Sequence, residues 1–164
     1  MKKTFLICVV IAISLFQNSF AQDFSTLKGK LLEDSASCVE AESMVLECSN
    51  YLLSKPIKKE LNSLYASDFI IEWLSKTQNY SFTIHEKFFK SIESDLNLSN
   101  RYYAALAKTA IESKTELSDN ELQMKAISQL LVYCENKKNN VVISKKLQKF
   151  IDAKNDKTLE ELLN

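Results

Sequence analysis

The chain has 164 residues, with only one glycine, one proline and one histidine, and its formal net charge is zero. Phosphate-binding loops, dinucleotide-binding fingerprints and nucleophile elbows need glycine at fixed positions, and most metal sites need several histidines, so we expect no cofactor and no metal. Because β-sandwiches and barrels need many glycine- and proline-rich turns, the composition predicts a helical protein. A neutral chain also lacks the strongly basic surface that nucleic-acid binding requires.

Residues 1–21 have the pattern of a secretory signal peptide. Lys2 and Lys3 precede an apolar stretch over 5–16, and Ser19 and Ala21 place small residues before a cleavage site. The apolar stretch is shorter than the about 20 residues that a membrane-spanning helix needs. The sequence therefore predicts export through a cleaved signal peptide, to the periplasm or beyond, with no membrane span in the mature chain. Removal of the signal leaves a slightly acidic chain.

The next 14 residues, 22–35, are mixed and polar, so we expect a flexible or short helical lead-in before a helical domain at 36–164. A first helix is predicted from about Ser35, because apolar residues recur three and four positions apart. They are Cys38, Ala41, Val45, Cys48 and Leu52. Pro56 suits the first turn of a second helix that runs to about Lys76. The apolar stretch 69–74 of that helix predicts a central position in the fold.

The segment 77–83 is predicted to be an irregular connector that turns its aromatic side chains inward, because a single short strand would have no partner. Thr83 and Glu86 match a capping box, which predicts a third helix to about Asp95. Ser99 is expected to cap a fourth helix over about 100–115.

A second capping box, formed by Ser118 and Glu121, predicts a fifth helix to about Asn136. Ser144 is expected to begin a shorter sixth helix, and the tail from Lys154 to add one last turn. Short connections between these elements predict a single all-α domain of five or six antiparallel helices. A solenoid-like arrangement fits less well, because the helix pairs at 56–96 and 100–136 share no residue signature.

The sequence resembles a group of small exported helical bacterial proteins of unassigned function in three short stretches. They are Tyr51-Leu52-Leu53-Ser54-Lys55-Pro56, Phe69-Ile70-Ile71-Glu72-Trp73-Leu74 and Tyr133-Cys134-Glu135-Asn136. These are core and cap residues, so the resemblance implies a helical exported protein and brings no activity with it.

The cysteines beyond the signal peptide are Cys38, Cys48 and Cys134. On one straight helix Cys38 and Cys48 would lie about 15 Å apart, beyond the about 7 Å that a disulfide spans between Cα atoms. Alternating helix directions would bring the ends of the first and fifth helices together. A disulfide between Cys48 and Cys134 is therefore one hypothesis, and three buried thiols acting as small apolar side chains are the other.

Two groups of side chains suggest a binding or catalytic role. Asp68 and Glu72 lie four apart on one helix and would suit the acid–base chemistry of a hydrolase, although the outer edge of any amphipathic helix has the same spacing. Several aromatic residues of the middle third would form either a ligand pocket or packed core. They include Trp73, Tyr80, Phe82 and Phe88.

Charge is distributed unevenly along the chain. Acidic residues collect near its beginning, at Glu33, Asp34, Glu40, Glu42 and Glu47. Basic residues collect near its end, at Lys137, Lys138, Lys145, Lys146 and Lys149. Such sets would steer a protein partner or self-association, pair with each other within one molecule, or stay solvated.

In the absence of catalytic motifs, the leading interpretation is a non-catalytic exported domain that binds another exported or envelope protein. The sequence does not predict its oligomeric state. The alternatives are a periplasmic inhibitor or immunity-type protein, a small hydrolase using Asp68 and Glu72, and a small-molecule carrier with an aromatic pocket around Trp73.

Overall fold

The computed structural model describes residues 22–113 and 115–163, and the predicted signal peptide at 1–21 lies outside this range. Over the described residues the protein is all-helical, as predicted. The α-helices are α1 (Ser35–Ser54), α2 (Leu61–Lys76), α3 (Glu86–Phe89), α4 (Leu96–Glu112), α5 (Asp119–Glu135), α6 (Lys145–Asn155) and α7 (Leu159–Leu163). Short 3₁₀ helices form at Ser25–Leu27 and Lys137–Asn139. Within this range no helix combines the length and apolarity needed to cross a bilayer.

Helices α1 and α2 form an antiparallel pair. The Trp73 indole near the end of α2 donates a 2.9 Å hydrogen bond to the Cys38 carbonyl in the first turns of α1. At the opposite end, the Tyr51 hydroxyl contacts the carboxylate of Glu60, the residue that precedes α2. The second helix therefore begins later than predicted. Pro56 lies in a non-helical segment over 55–60, where the Ile57 amide hydrogen-bonds outside the helix pair, to the Asn139 carbonyl.

The segment that follows α2 has little regular structure. The segment 77–85 is irregular, as predicted, but α3 has only four residues, so the predicted third helix to about Asp95 is wrong. His85 caps α3 through Nδ1 instead of Thr83. The Asp95 carboxylate accepts hydrogen bonds from the amides of Asn97 and Leu98 and thereby caps α4. Because a new helix begins there, the helix predicted over 86–95 does not continue to Asp95.

Helix α4 therefore begins at Leu96, ahead of the cap expected at Ser99. Helix α5 begins with the predicted Ser118–Glu121 capping box, and the two helices are antiparallel. The Arg101 guanidinium at the start of α4 lies 5.0 Å from the Tyr133 ring centre at the end of α5. The Gln129 amide in turn reaches the Thr109 hydroxyl at 3.0 Å.

The end of α5 lies beside the end of α1, as alternating directions predict. The Tyr133 hydroxyl donates a 2.8 Å hydrogen bond to the Lys55 carbonyl. Asn140, with φ of 59°, turns the chain through the left-handed region, and Ser144 caps α6 as predicted. Helix α7 is the predicted last turn, and His85 Nε2 lies 2.9 Å from the carbonyl oxygen of its Leu163.

The segment 22–35 corrects the expectation of a flexible lead-in. Its side chains Phe24, Leu27 and Leu32 are buried, and the Phe24 ring packs edge-on against Tyr51 at 5.2 Å. Its backbone is also anchored to α2, because the amide of Leu32 donates to Glu72 at 3.1 Å. The segment is thus part of the packed domain, and the short helical form that the sequence allowed is the 3₁₀ helix.

Two hydrophobic clusters meet at α4. One contains side chains of 24–73 from the lead-in, α1 and α2, and the other contains side chains of α3 to α7. Ala104 and Ala107 belong to the first cluster, whereas Tyr102 and Leu106 belong to the second. The small side chains let α1 and α2 approach α4 closely, which makes α4 the central helix of the domain.

Candidate functional site

The three described cysteines are free and buried in this structure, with no disulfide between Cys48 and Cys134. Cys48 lies in the cluster of α1 and α2, and Cys134 in the cluster of α4 to α7. Burial, with the nearby Glu47 charge, raises the pKa of Cys48 to about 12. Burial, with the Asp95 charge, raises the pKa of Cys134 to about 12. These thiols therefore stay protonated and unreactive at neutral pH.

Asp68 and Glu72 differ in burial and in hydrogen bonding. Glu72 is half-buried, and its Oε1 accepts the Leu32 amide, so this carboxylate fixes the lead-in to α2. Asp68 is exposed on the outer surface of the same helix. Paired carboxylates in a hydrolase must both act on one reacting bond, and Glu72 is already engaged by the lead-in.

The predicted aromatic group divides between the two clusters. Trp73 is fully buried, with Tyr80 at 5.5 Å and Phe82 at 5.9 Å between ring centres. Phe88 instead packs edge-on against Tyr102 and Phe150. Trp73 and Phe88 therefore belong to the packed core, whereas Tyr80 and Phe82 are half-buried, and the four rings do not enclose a common pocket.

The outer side of this aromatic core is an open apolar groove of about 280 Å³ between α2, the irregular connector and α4. Its lining is Ile71, Leu74, Ser75, Phe82, Ile84, Tyr103 and Leu106. Phe82 and Tyr103 are the aromatic walls of the groove, and each packs against another ring. Phe82 packs on Trp73, and Tyr103 packs on Phe89 at 6.1 Å between ring centres. The groove is thus a mostly apolar surface, and its lining residues with a polar group are Ser75 and Tyr103.

Exposed leucines extend the groove along α2. Leu61 and Leu64 are 64% and 48% exposed, and Ile71, at 40%, joins them to the groove. Positions three and seven apart lie on one side of a helix, so the three residues form one strip, which we call the α2 apolar strip. The sequence missed this surface, because the apolar stretch 69–74 was expected to be covered on most sides. The exposed Asp68 lies within the strip.

An open cleft of about 700 Å³ separates the segment 30–34 from the first half of α1. Its floor is apolar, and four exposed carboxylates surround it, so we call it the acidic groove. The floor consists of Leu32, Ala41, Met44 and Phe69, and the carboxylates belong to Glu33, Asp34, Glu40 and Glu47. Lys30 also lies at this cleft, 5.7 Å from the Phe69 ring centre.

The exposed lysines near the end of the chain lie on both sides of an exposed valine in the sequence. We call this surface the basic end, and it consists of Lys137, Lys138, Val142, Lys145, Lys146 and Lys149. The valine is 84% exposed. The ion pairs of the described residues are Lys90–Glu86, Lys108–Glu112 and Lys154–Glu135. The two charged sets of the sequence therefore do not pair with each other within the described part of one molecule.

Similarity to known proteins does not assign a function to these surfaces. Comparison with protein-family models, with curated proteins and with solved structures found no match to this chain. Within residues 22–113 and 115–163, no group of three or more His, Cys, Asp or Glu side chains is placed to hold a metal ion. The chemistry of the surfaces themselves therefore carries the functional argument.

Proposed function

We propose that this protein is a non-catalytic exported domain that binds another exported protein through the apolar groove and the α2 apolar strip. The observation that carries the proposal is the almost wholly apolar lining of the groove on the surface of the domain. Clustered exposed apolar side chains of this kind are characteristic of interaction sites in soluble proteins.

The length of the surface favours a protein segment as the occupant. Leu61 and Ile71 are ten residues apart on α2, which corresponds to about 15 Å along a helix. A small apolar molecule would fill the groove and leave the strip uncovered, whereas an amphipathic helix covers both with side chains three and four positions apart. Asp68 within the strip suits a basic or hydrogen-bond-donating side chain of that partner.

A photo-crosslinking experiment tests this function. A crosslinking amino acid at Ile84, in the groove, is expected to capture a partner from envelope extract, and the same residue at the exposed Val132 of α5 is the matched control. In the protein with the crosslinker at position 84, Leu64→Ser with Ile71→Ser should abolish capture with little loss of stability, because both side chains are already partly exposed. Equal capture from both positions, or none under several mild extraction conditions, would contradict the proposal.

The identity of the captured partner tests the narrower hypothesis of an inhibitor or immunity-type protein. If the captured protein is an enzyme or toxin that loses activity when bound, the protein is an inhibitor or immunity-type protein. The hydrolase and carrier hypotheses lack a comparable observation, because Glu72 is engaged by the Leu32 amide and the rings around Trp73 pack against one another.

A further inference from the structure

The acidic groove and the basic end lie at opposite ends of α1. The basic end follows α5 and touches the segment after α1, because the Ile57 amide donates to the Asn139 carbonyl at 3.0 Å. Lys154 pairs with Glu135 at 2.5 Å, which keeps the far end of α6 beside the end of α5 as well. The acidic groove instead follows about the first two thirds of α1, from Ala36 to Glu47.

This separation keeps the carboxylates at the beginning of α1 away from the basic end of the same molecule. Glu40 precedes Lys55, at the end of α1, by fifteen positions, which is about 22 Å along the helix. At physiological ionic strength the Debye length is about 8 Å, so Glu40 is largely screened from the basic end of its own molecule.

The two surfaces match in chemistry as well as in sign. The acidic groove has an apolar floor beside its carboxylates, and the basic end has an exposed Val142 with exposed lysines on both sides of it in the sequence. We propose that a second copy of this chain inserts the Val142 segment into the acidic groove, with its lysines beside Glu33 and Glu40. This contact is separate from the apolar groove that carries the proposed function.

The proposed contact is head-to-tail. Each molecule would use its groove for one neighbour and its basic end for another, which is a heterologous interface. Such contacts generate either a closed ring or an open chain, and charge attraction makes the association sensitive to salt. We therefore expect the purified protein to associate reversibly at about 0.1 M salt and to dissociate at about 1 M, where the Debye length falls from about 10 Å to about 3 Å.

Charge reversal on each surface gives a specific test by sedimentation velocity and native mass spectrometry. The groove variant is Glu33→Lys with Glu40→Lys, and the basic-end variant is Lys145→Glu with Lys146→Glu. All four side chains are exposed, so circular dichroism should show the same helix content and melting temperature within a few degrees. Each variant alone should be monomeric, with self-association weakened at least tenfold.

An equal mixture of the two variants should regain the association that each variant alone has lost. The basic end of the groove variant is intact and fits the intact groove of the basic-end variant, and the two reversed surfaces also carry opposite charges. Val142→Ser should also weaken association of the otherwise unchanged protein, and the equally apolar Val132→Ser, on α5, should not. A wild-type protein that stays monomeric at low salt, or variants that associate as wild type does, would overturn the proposal.

Discussion

The indole Nε1 of Trp73 donates a 2.9 Å hydrogen bond to the main-chain carbonyl of Cys38, and both residues are buried. The bond joins the last turns of α2 to the first turns of α1, so it fixes how far the two antiparallel helices are shifted along each other. It also gives the indole N–H of this fully buried ring a hydrogen-bond partner, because a buried N–H without one would destabilise the fold. The same ring supports Phe82, a wall of the apolar groove.

Replacing Trp73 by phenylalanine should lower the free energy of unfolding by about 2 kcal/mol, because the variant loses both this hydrogen bond and buried volume. Urea denaturation followed by circular dichroism measures the change. Val132→Ala, at an exposed position of α5, is the control and should stay within about 0.5 kcal/mol of wild type. A Trp73→Phe effect as small as that of the control would contradict the structural role.

The buried thiols predict that reduction leaves the mass of the protein unchanged. Cys38, Cys48 and Cys134 are free, so the intact mass before and after reductant should be identical. All three should resist a thiol reagent in the native state, because burial raises the pKa of each and reaction requires the thiolate. Rapid labelling at neutral pH without denaturant, or a gain of two hydrogens on reduction, would refute this assignment.

Stability should decrease at alkaline pH for the same reason. In the unfolded chain a thiol loses its proton near pH 9, but the pKa of folded Cys48 and of folded Cys134 is about 12. The unfolded state therefore binds fewer protons between pH 9 and 12, and the stability present below pH 9 is lost as pH rises through this window. Each thiol contributes a slope of about 1.4 kcal/mol per pH unit there.

Urea denaturation at about pH 8 and about pH 10.5 checks this dependence. Cys48→Ala should have a flatter pH dependence than wild type, since one of the two thiols is gone. Val45→Ala, at an equally buried position of α1, removes apolar volume without a titrating group. It should lower stability at both pH values and keep the wild-type slope; equal slopes for all three proteins would argue against the raised thiol pKa.

Arg101 is a buried cation whose known contacts are a 3.2 Å bond to the Asn97 carbonyl and the face of Tyr133. Its Nε has no hydrogen-bond partner among the described residues. Because burying a charge is costly, Arg101→Met should be at least as stable as wild type within about 1 kcal/mol. Arg101→Ala leaves a cavity and should lose about 2–4 kcal/mol. Equal loss in both variants, measured by thermal and urea unfolding, would show that the charge itself is required.

The two capping boxes that the sequence suggested should differ in energetic importance. Ser118 caps α5, so Ser118→Ala should cost about 1 kcal/mol. Thr83 does not cap α3, and its exposed hydroxyl only accepts a hydrogen bond from Gln123, so Thr83→Ala should cost less than about 0.5 kcal/mol. Denaturation of the two variants side by side measures the difference. A larger loss for Thr83→Ala would contradict the assignment of His85 as the cap.

Local patterns in the sequence predicted most of the helices. The spacing of Cys38 to Leu52 defined α1, and side-chain caps at Ser118 and Ser144 defined the starts of α5 and α6. These features depend on residues within one or two turns of each other, so the sequence contains all the information that they need. The prediction was wrong where two local signals competed, as between a continued third helix and the Asp95 cap of α4.

The sequence did not predict which apolar side chains lie on the surface. Burial depends on what packs against a helix, so the sequence could not show that Ile71 is left uncovered while Trp73 beside it is fully buried. It equally could not show that the polar lead-in contributes Phe24 and Leu32 to the core, since their contacts lie on α1 and α2.

The amino-acid sequence by itself determined an all-helical chain, the main helix starts and the separation of acidic from basic residues. These properties follow from composition and from interactions between near neighbours along the chain. Only the tertiary structure decided that the cysteines are separate thiols, that Asp68 and Glu72 have different surroundings, and that an apolar groove and an acidic groove lie on the surface. Each of these depends on distances between segments far apart in sequence, which the packing of α1, α2 and α4 establishes.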